Sequence, residues 1–185
     1  MHFIYIKINI ILSLLILIVN EVNAKVDPPN YNFSLDSIAV FHPGKQMAAI
    51  EKVIGKGQKL SDNGGIVLTQ YNVTHIRYKF PTYVQSFNGQ VLDFYAVLPR
   101  YFLHDVFHQS LINRLGKQDI FYKQENNAIY VWNNKQGFKH FYSGGCTITC
   151  FPIYYSGVSI TAPPGAKGYK PILEQLKIKK NFIPF

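Results

Sequence analysis

An internal correspondence restricts the fold of this chain more than any other feature. The segment Ile50-Glu51-Lys52-Val53-Ile54-Gly55-Lys56 has the same apolar pattern as Leu111-Ile112-Asn113-Arg114-Leu115-Gly116-Lys117, 61 positions later. At the same offset Tyr71-Asn72 falls on Trp132-Asn133, and Val67-Leu68 falls on Ala128-Ile129. At offset 62, Arg77-Tyr78-Lys79-Phe80 falls on Lys139-His140-Phe141-Tyr142. At offset 68, Asn88-Gly89 falls on Ser156-Gly157. A period of this kind is the mark of a duplicated unit. The drift in offset places extra residues of the second copy between Gly144 and Cys150.

Each copy reads as a helix followed by strands. Met47, Ile50, Val53 and Ile54 recur at helical spacing over roughly 46–54, and Val106, Phe107, Leu111 and Leu115 do so over roughly 103–115. Both runs stop at glycine, Gly55 and Gly116, the residue that best takes the left-handed conformation at a helix end. The strands expected next are 66–71, 74–80, 82–87 and 91–97, the last two joined through Asn88-Gly89-Gln90, a strong hairpin signal. In the second copy they are 128–132, 138–142, 147–155 and 158–161, with turns at 133–137 and at Ser156-Gly157. The expected fold class is α+β: two tandem repeats, residues 36–98 and 99–162, each a helix plus a four-stranded antiparallel meander. The helices are expected on one face of the sheet, because an amphipathic helix and a half-apolar sheet bury one another. Residues 163–185 read as a loop, a short helix over 169–176 and a tail.

The N-terminus sets the compartment. Lys7 precedes an apolar run over 10–19 broken by Ser13, and Val22-Asn23-Ala24 is a small-residue cleavage pattern. That order is a secretory signal over residues 1–24. Its apolar run is about half the ~20 residues a membrane span needs. After cleavage 161 residues remain, with an extended leader over 25–35. The net charge stays at +9, because the signal holds one Lys and one Glu. The mature chain is therefore expected in the periplasm or in secretion. Its charge favours acidic partners. Lys and Arg are scattered until Lys177, Lys179 and Lys180, so nucleic acid is not expected as a partner. That last cluster suits weak contact with an anionic membrane. Asn32-Phe33-Ser34 and Asn72-Val73-Thr74 match the N-glycosylation acceptor pattern, which matters only in a eukaryotic host.

No residue pattern demands catalysis. His104 and His108 stand at i, i+4, the spacing of zinc-binding helices, but Asp105 follows where the protease motif has Glu. A third ligand such as His140 or Asp93 would have to come close in space. Packing over the helix edge is the preferred account, and a metal-dependent enzyme on this pair is the alternative. Cys146 and Cys150 are candidates for a local disulfide. Four strand steps cover about 13 Å, whereas bridged Cα atoms lie ~5.5 Å apart, so a bridge needs a loop between them. A nucleophile needs a Ser or Cys near a His; Cys146 and Cys150 are the only thiols and a disulfide would silence both, so a thiol-dependent enzyme centred on Cys146 stands only as a further alternative. The aromatic residues point instead to binding, since Tyr, Trp and Arg dominate interface hot spots. Tyr71, Arg77, Trp132 and Lys139, at equivalent repeat positions, are the candidate protein-binding surface.

Gly44, Ile50 and Ile54-Gly55 in the first copy, and Leu111 and Leu115-Gly116 in the second, each precede strands. This pattern resembles the SmpA/OmlA (BamE-type) envelope fold, and its tandem arrangement is similar to that of β-lactamase-inhibitor proteins. The resemblance covers 36–162. It implies a non-enzymatic protein-binding module, an envelope assembly factor or an inhibitor, that needs no cofactor. The chain departs from that pattern in having Lys56 and Lys117 where Pro often follows Leu-Gly, and in lacking a lipid-anchoring Cys.

Overall fold

The computed structural model describes residues 36–75, 78–99, 104–124, 127–144 and 153–176. The expected signal, the leader, Asn32, Arg77, Cys146, Cys150 and the basic tail from Lys177 lie outside this set. After a helical turn at 36–39 come α1 (Met47–Ile54), β1 (Gln58–Asn63), β2 (Ile66–His75), β3 (Tyr78–Phe87) and β4 (Gln90–Val97). They are followed by α2 (His104–Leu115), β5 (Ile120–Gln124), β6 (Asn127–Lys135), β7 (Phe138–Ser143), β8 (Tyr154–Ser159) and the short α3 (Ile172–Gln175).

All eight strands form one antiparallel sheet in the order β1-β2-β3-β4-β8-β7-β6-β5. This corrects the expected fold class. The chain is mostly one eight-stranded antiparallel sheet with short helices, not two helix-plus-four-strand repeats packed on a sheet face. β4 pairs with β8, from Asp93 opposite Val158 to Val97 opposite Tyr154. Each would otherwise end its meander as an unpaired edge, and an exposed edge is a template for aggregation. Joining them leaves the two short strands β1 and β5 at the margins.

Local chemistry sets the hairpins. Asn88 and Gly89 (φ 49° and 76°) turn β3 into β4, and Gln136 and Gly137 (φ 55° and 85°) turn β6 into β7. Positive φ at both central residues twists a two-residue turn to match its strands. Both helices stop as the sequence implies. The Gly55 amide donates to Glu51 and the Gly116 amide to Ile112, with φ of 93° and 80°.

Other expectations fail. β1 and β5 were not foreseen. β2 runs straight through Asn72-Val73, and β3 runs through Pro81, which stands one residue beyond the last β3–β4 pair, Thr82 with Ala96. Ser156-Gly157 is not a turn but the middle of β8: Ser156 lies between Tyr95 and Phe141, and Gly157 between Phe94 and His140. Glycine is needed there for space, since a Cβ would meet the Phe94 ring at 2.4 Å and the Phe138 ring at 2.8 Å. Its match to Asn88-Gly89 is a coincidence of composition.

One core is shared by both halves. Ile38, Phe41, Ile50 of α1 and Phe107, Leu111 and Leu115 of α2 cover a sheet face built from Tyr71, Val84, Phe94, Trp132, Tyr142 and Tyr155. The opposite face carries Tyr95, Ile129, Val131, Phe141, Tyr154 and Val158, against which Ile172 and Leu173 close. Ala166 packs there with Ile66 and Leu92. Segment 163–176 thus folds back over the sheet face that the helices leave uncovered.

Candidate functional site

The proposed aromatic and basic surface is not assembled as the sequence suggests. Tyr71 (2% exposed) and Trp132 (0%) are core residues beneath the helices. The Tyr71 ring lies 5.4 Å from that of Phe41, and the Trp132 indole donates to the Gly116 carbonyl (2.7 Å). Lys139 is half-buried on the other face, its ammonium 5.9 Å from the Phe141 ring centre. Arg77 lies outside the described residues, as do Cys146, Cys150 and Lys177, Lys179 and Lys180.

His104 and His108 do share a helix face, but that face is turned inward. Their rings stack at 5.4 Å, and the His104 ring also stacks on Tyr142 at 5.6 Å. The two ring nitrogens of His104 face tyrosine hydroxyls, Nδ1 at 3.1 Å from Tyr142 and Nε2 at 3.3 Å from Tyr130. His140 and Asp93, the candidate third ligands, belong to other clusters. Among the described residues no three His, Cys, Asp or Glu side chains are placed to share a metal ion.

A second imidazole cluster lies under α2. His140 Nε2 donates to the Lys135 carbonyl (3.0 Å), so its Nδ1 accepts from the Tyr155 hydroxyl (2.6 Å). Burial, the main cause, holds His140 down to about 4. His42, whose ring centre is 6.2 Å from that of His140, is held down to about 3, first by burial and then by the charge of His140. Both rings are therefore neutral near pH 7. The cleft they line with Arg114, Gln136 and Tyr155 encloses about 20 Å³, room for about one water. With both its ring nitrogens engaged, His140 ties β7 to β6 and β8 and has no nitrogen left for proton abstraction.

The larger opening lies on the other face, where segment 163–176 meets β1, β2 and β3. Asp93 builds it. This carboxyl is fully buried, and its Oδ2 accepts the Ile172 amide at 2.6 Å. With its amide nitrogen turned inward, Gln85 donates to Asp93 Oδ1 (2.8 Å) and to the Lys170 carbonyl (2.9 Å), and accepts from Gln175 Nε2 (2.9 Å). Burial pushes Asp93 up to about 8, against the Ile172 amide, which favours the charged form. The sequence marks Asp93 only as a candidate metal ligand, because its partner Ile172 lies 79 residues away. The signal was present: Val91-Leu92-Asp93-Phe94-Tyr95 sets a lone acid in an apolar strand.

The segment held in this way forms one wall of a groove of about 380 Å³. Lys167, Gly168, Lys170 and Gln175 form that wall; Ser61, Asn63 and Gly64 face them, and Ile66, Leu68 and Gln85 make the floor. Lys167 and Lys170 line the groove, and no Asp or Glu is among its lining residues. Neither Lys167 nor Lys170 makes an ion pair among the described residues, whereas Lys59 nearby is paired with Asp62 at 2.7 Å. The groove thus has two lysines and no acid in its lining, over a floor that is part apolar (Ile66, Leu68) and part amide (Gln85).

Comparison with known protein families, with characterised proteins and with solved structures finds no match. The SmpA/OmlA resemblance accordingly rests on the residues around Gly55 and Gly116 alone.

Proposed function

We propose that this protein is an exported, non-enzymatic binding module that engages an acidic patch on another envelope or secreted protein. The observation that carries this reading is the groove with two uncompensated lysines, Lys167 and Lys170, and no acid in its lining. The net charge of +9 supports it, since a positive field steers acidic partners toward a cationic site. The signal-like N-terminus supports action outside the cytoplasm. Docking at this groove replaces docking at Tyr71 and Trp132, which the core consumes.

The test is capture from periplasmic or secreted fractions with the mature chain, beside the double variant Lys167→Glu/Lys170→Glu. The wild type should retain a partner that is released as salt rises from about 0.1 to 0.5 M, as the Debye length shrinks below ~10 Å. The variant should retain none. Equal capture by the two proteins would remove the groove from the interface and sink the reading.

A further inference from the structure

We infer that the groove between β1 and segment 163–176 is a site for the carboxylates of an extended, glutamate-bearing segment, which rests on the docking role proposed above. Its volume of about 380 Å³ lies in the range of small-ligand pockets, roughly 300–1,000 Å³. It therefore admits a few side chains of the partner.

The lining narrows the chemistry further. Gln85 donates to Asp93 and to the Lys170 carbonyl, and Gln175 Nε2 donates to Gln85 and to the same carbonyl, so neither amide nitrogen is available to a ligand without breaking the wall. What is left to meet a ligand is the Lys167 and Lys170 ammoniums, with Ser61 and Asn63 opposite, which make no side-chain hydrogen bond to other described residues. No guanidinium lines the groove, so a ligand's anionic groups meet ammonium point charges one by one and not a bidentate fork. Separate ammonium point charges suit separate carboxylates. Ile66 and Leu68 offer an apolar floor to the two methylenes of a glutamate, which an aspartate or a free anion could not use.

The groove also has the right openness. β1 is an edge strand, with β2 as its one partner in the sheet. Past β1 the sheet ends, so a segment lying over Ile66 and Leu68 can leave the groove on that side. Gly64 (φ 61°) and Gly65 (φ 85°) keep the β1–β2 turn tight at one end of that path.

The test uses the mature protein and a capped hexapeptide of alternating Glu and Leu, with a Gln-for-Glu peptide as control. Binding is followed by amide chemical-shift changes and by calorimetry. The Glu peptide should bind and shift the amides of 61–68 and 167–175, and the Gln peptide should not. Lys167→Ala and Lys170→Ala should each weaken it about three-fold, the scale of an exposed ion pair, and the double variant about ten-fold. Lys52→Ala, which removes an exposed charge on α1, should change nothing. Equal binding of the Gln peptide overturns the inference. So does a groove that responds to inorganic phosphate or to anionic vesicles but not to the Glu peptide. If capture of a partner is lost on charge reversal while the Glu peptide fails to bind, the carboxylate inference falls and the docking role stands. If charge reversal leaves capture intact, the docking role falls whatever the peptide does.

Discussion

Replacing Asp93 with Asn should flatten part of the pH dependence of stability. In the folded protein the carboxyl is pushed up to about 8 from an ordinary value of 3.8, chiefly by burial. Between those values the unfolded chain releases the proton and the folded chain keeps it. The folded state then binds more protons, so stability falls as pH rises. Each pH unit in that window is worth about 1.4 kcal/mol, so wild type should lose about 4 kcal/mol relative to Asp93→Asn between pH 5 and pH 8. Asn is the right probe because its oxygen can still accept the Ile172 amide, which Ala could not. The histidines titrate alike in both proteins and cancel in the difference. Urea denaturation at each pH, followed by the fluorescence of Trp132, the sole tryptophan, measures it. A difference that stays flat within about 1 kcal/mol across this range would mean that Asp93 is ionised in the fold. The Ile172 and Gln85 hydrogen bonds would then outweigh burial, and the reasoning would fail.

Three further outcomes are expected. Because His42 and His140 are held down to about 3 and about 4, the unfolded chain takes up protons on acidification before the fold does. Stability should therefore fall below pH 6.5, and His140→Gln should reduce that fall while costing about 1–2 kcal/mol at pH 7 through lost hydrogen bonds; the same urea series checks it. Gly157→Ala should cost about 2 kcal/mol or more, since its Cβ would strike the Phe94 and Phe138 rings. Gly116→Ala, with open space around it and φ of 80°, should cost about 1 kcal/mol from backbone strain alone; equal losses in thermal melts would refute the packing account. Trp132→Ala should lower stability by about 3–5 kcal/mol, so any loss of partner capture should track loss of fold; a stable variant that no longer binds would return Trp132 to the interface.

What could be read from the sequence was local. Gly55 and Gly116 stop helices for reasons that concern only their own backbone, and Asn88-Gly89 makes a turn for the same reason. What could not be read depends on distant partners. Gly157 looks like a turn residue until Phe94 and Phe138 crowd it. β1 has one apolar residue, Leu60, and no alternation, because a marginal strand is held by backbone pairing with β2 and not by burial of its side chains. The side on which Tyr71 and Trp132 fall was illegible because both faces of the sheet are apolar over much of its width. Alternation then marks a strand without saying which side meets the helices. The groove was invisible for a similar reason, since it exists only when Ile172 returns to Asp93, 79 residues earlier.

The two faces differ in how they are held, and that difference separates scaffold from site. Beneath the helices, imidazoles and tyrosines are interleaved: His104 with Tyr130 and Tyr142, His140 with Tyr155. Each polar atom named there meets another inside a dense aromatic layer, so shifting one ring leaves a partner unsatisfied. On the opposite face, the wall that carries Lys167 and Lys170 is short, and one buried carboxyl with one glutamine orders its polar contacts. Ile172 and Leu173 supply its apolar anchor. This wall is anchored separately from the aromatic layer beneath the helices, so changes at its exposed Lys167 and Lys170 leave that layer in place. Loosening it through Asp93 should therefore alter ligand affinity at the groove while the Trp132 environment stays native. Loosening the layer at His140 should disturb both together.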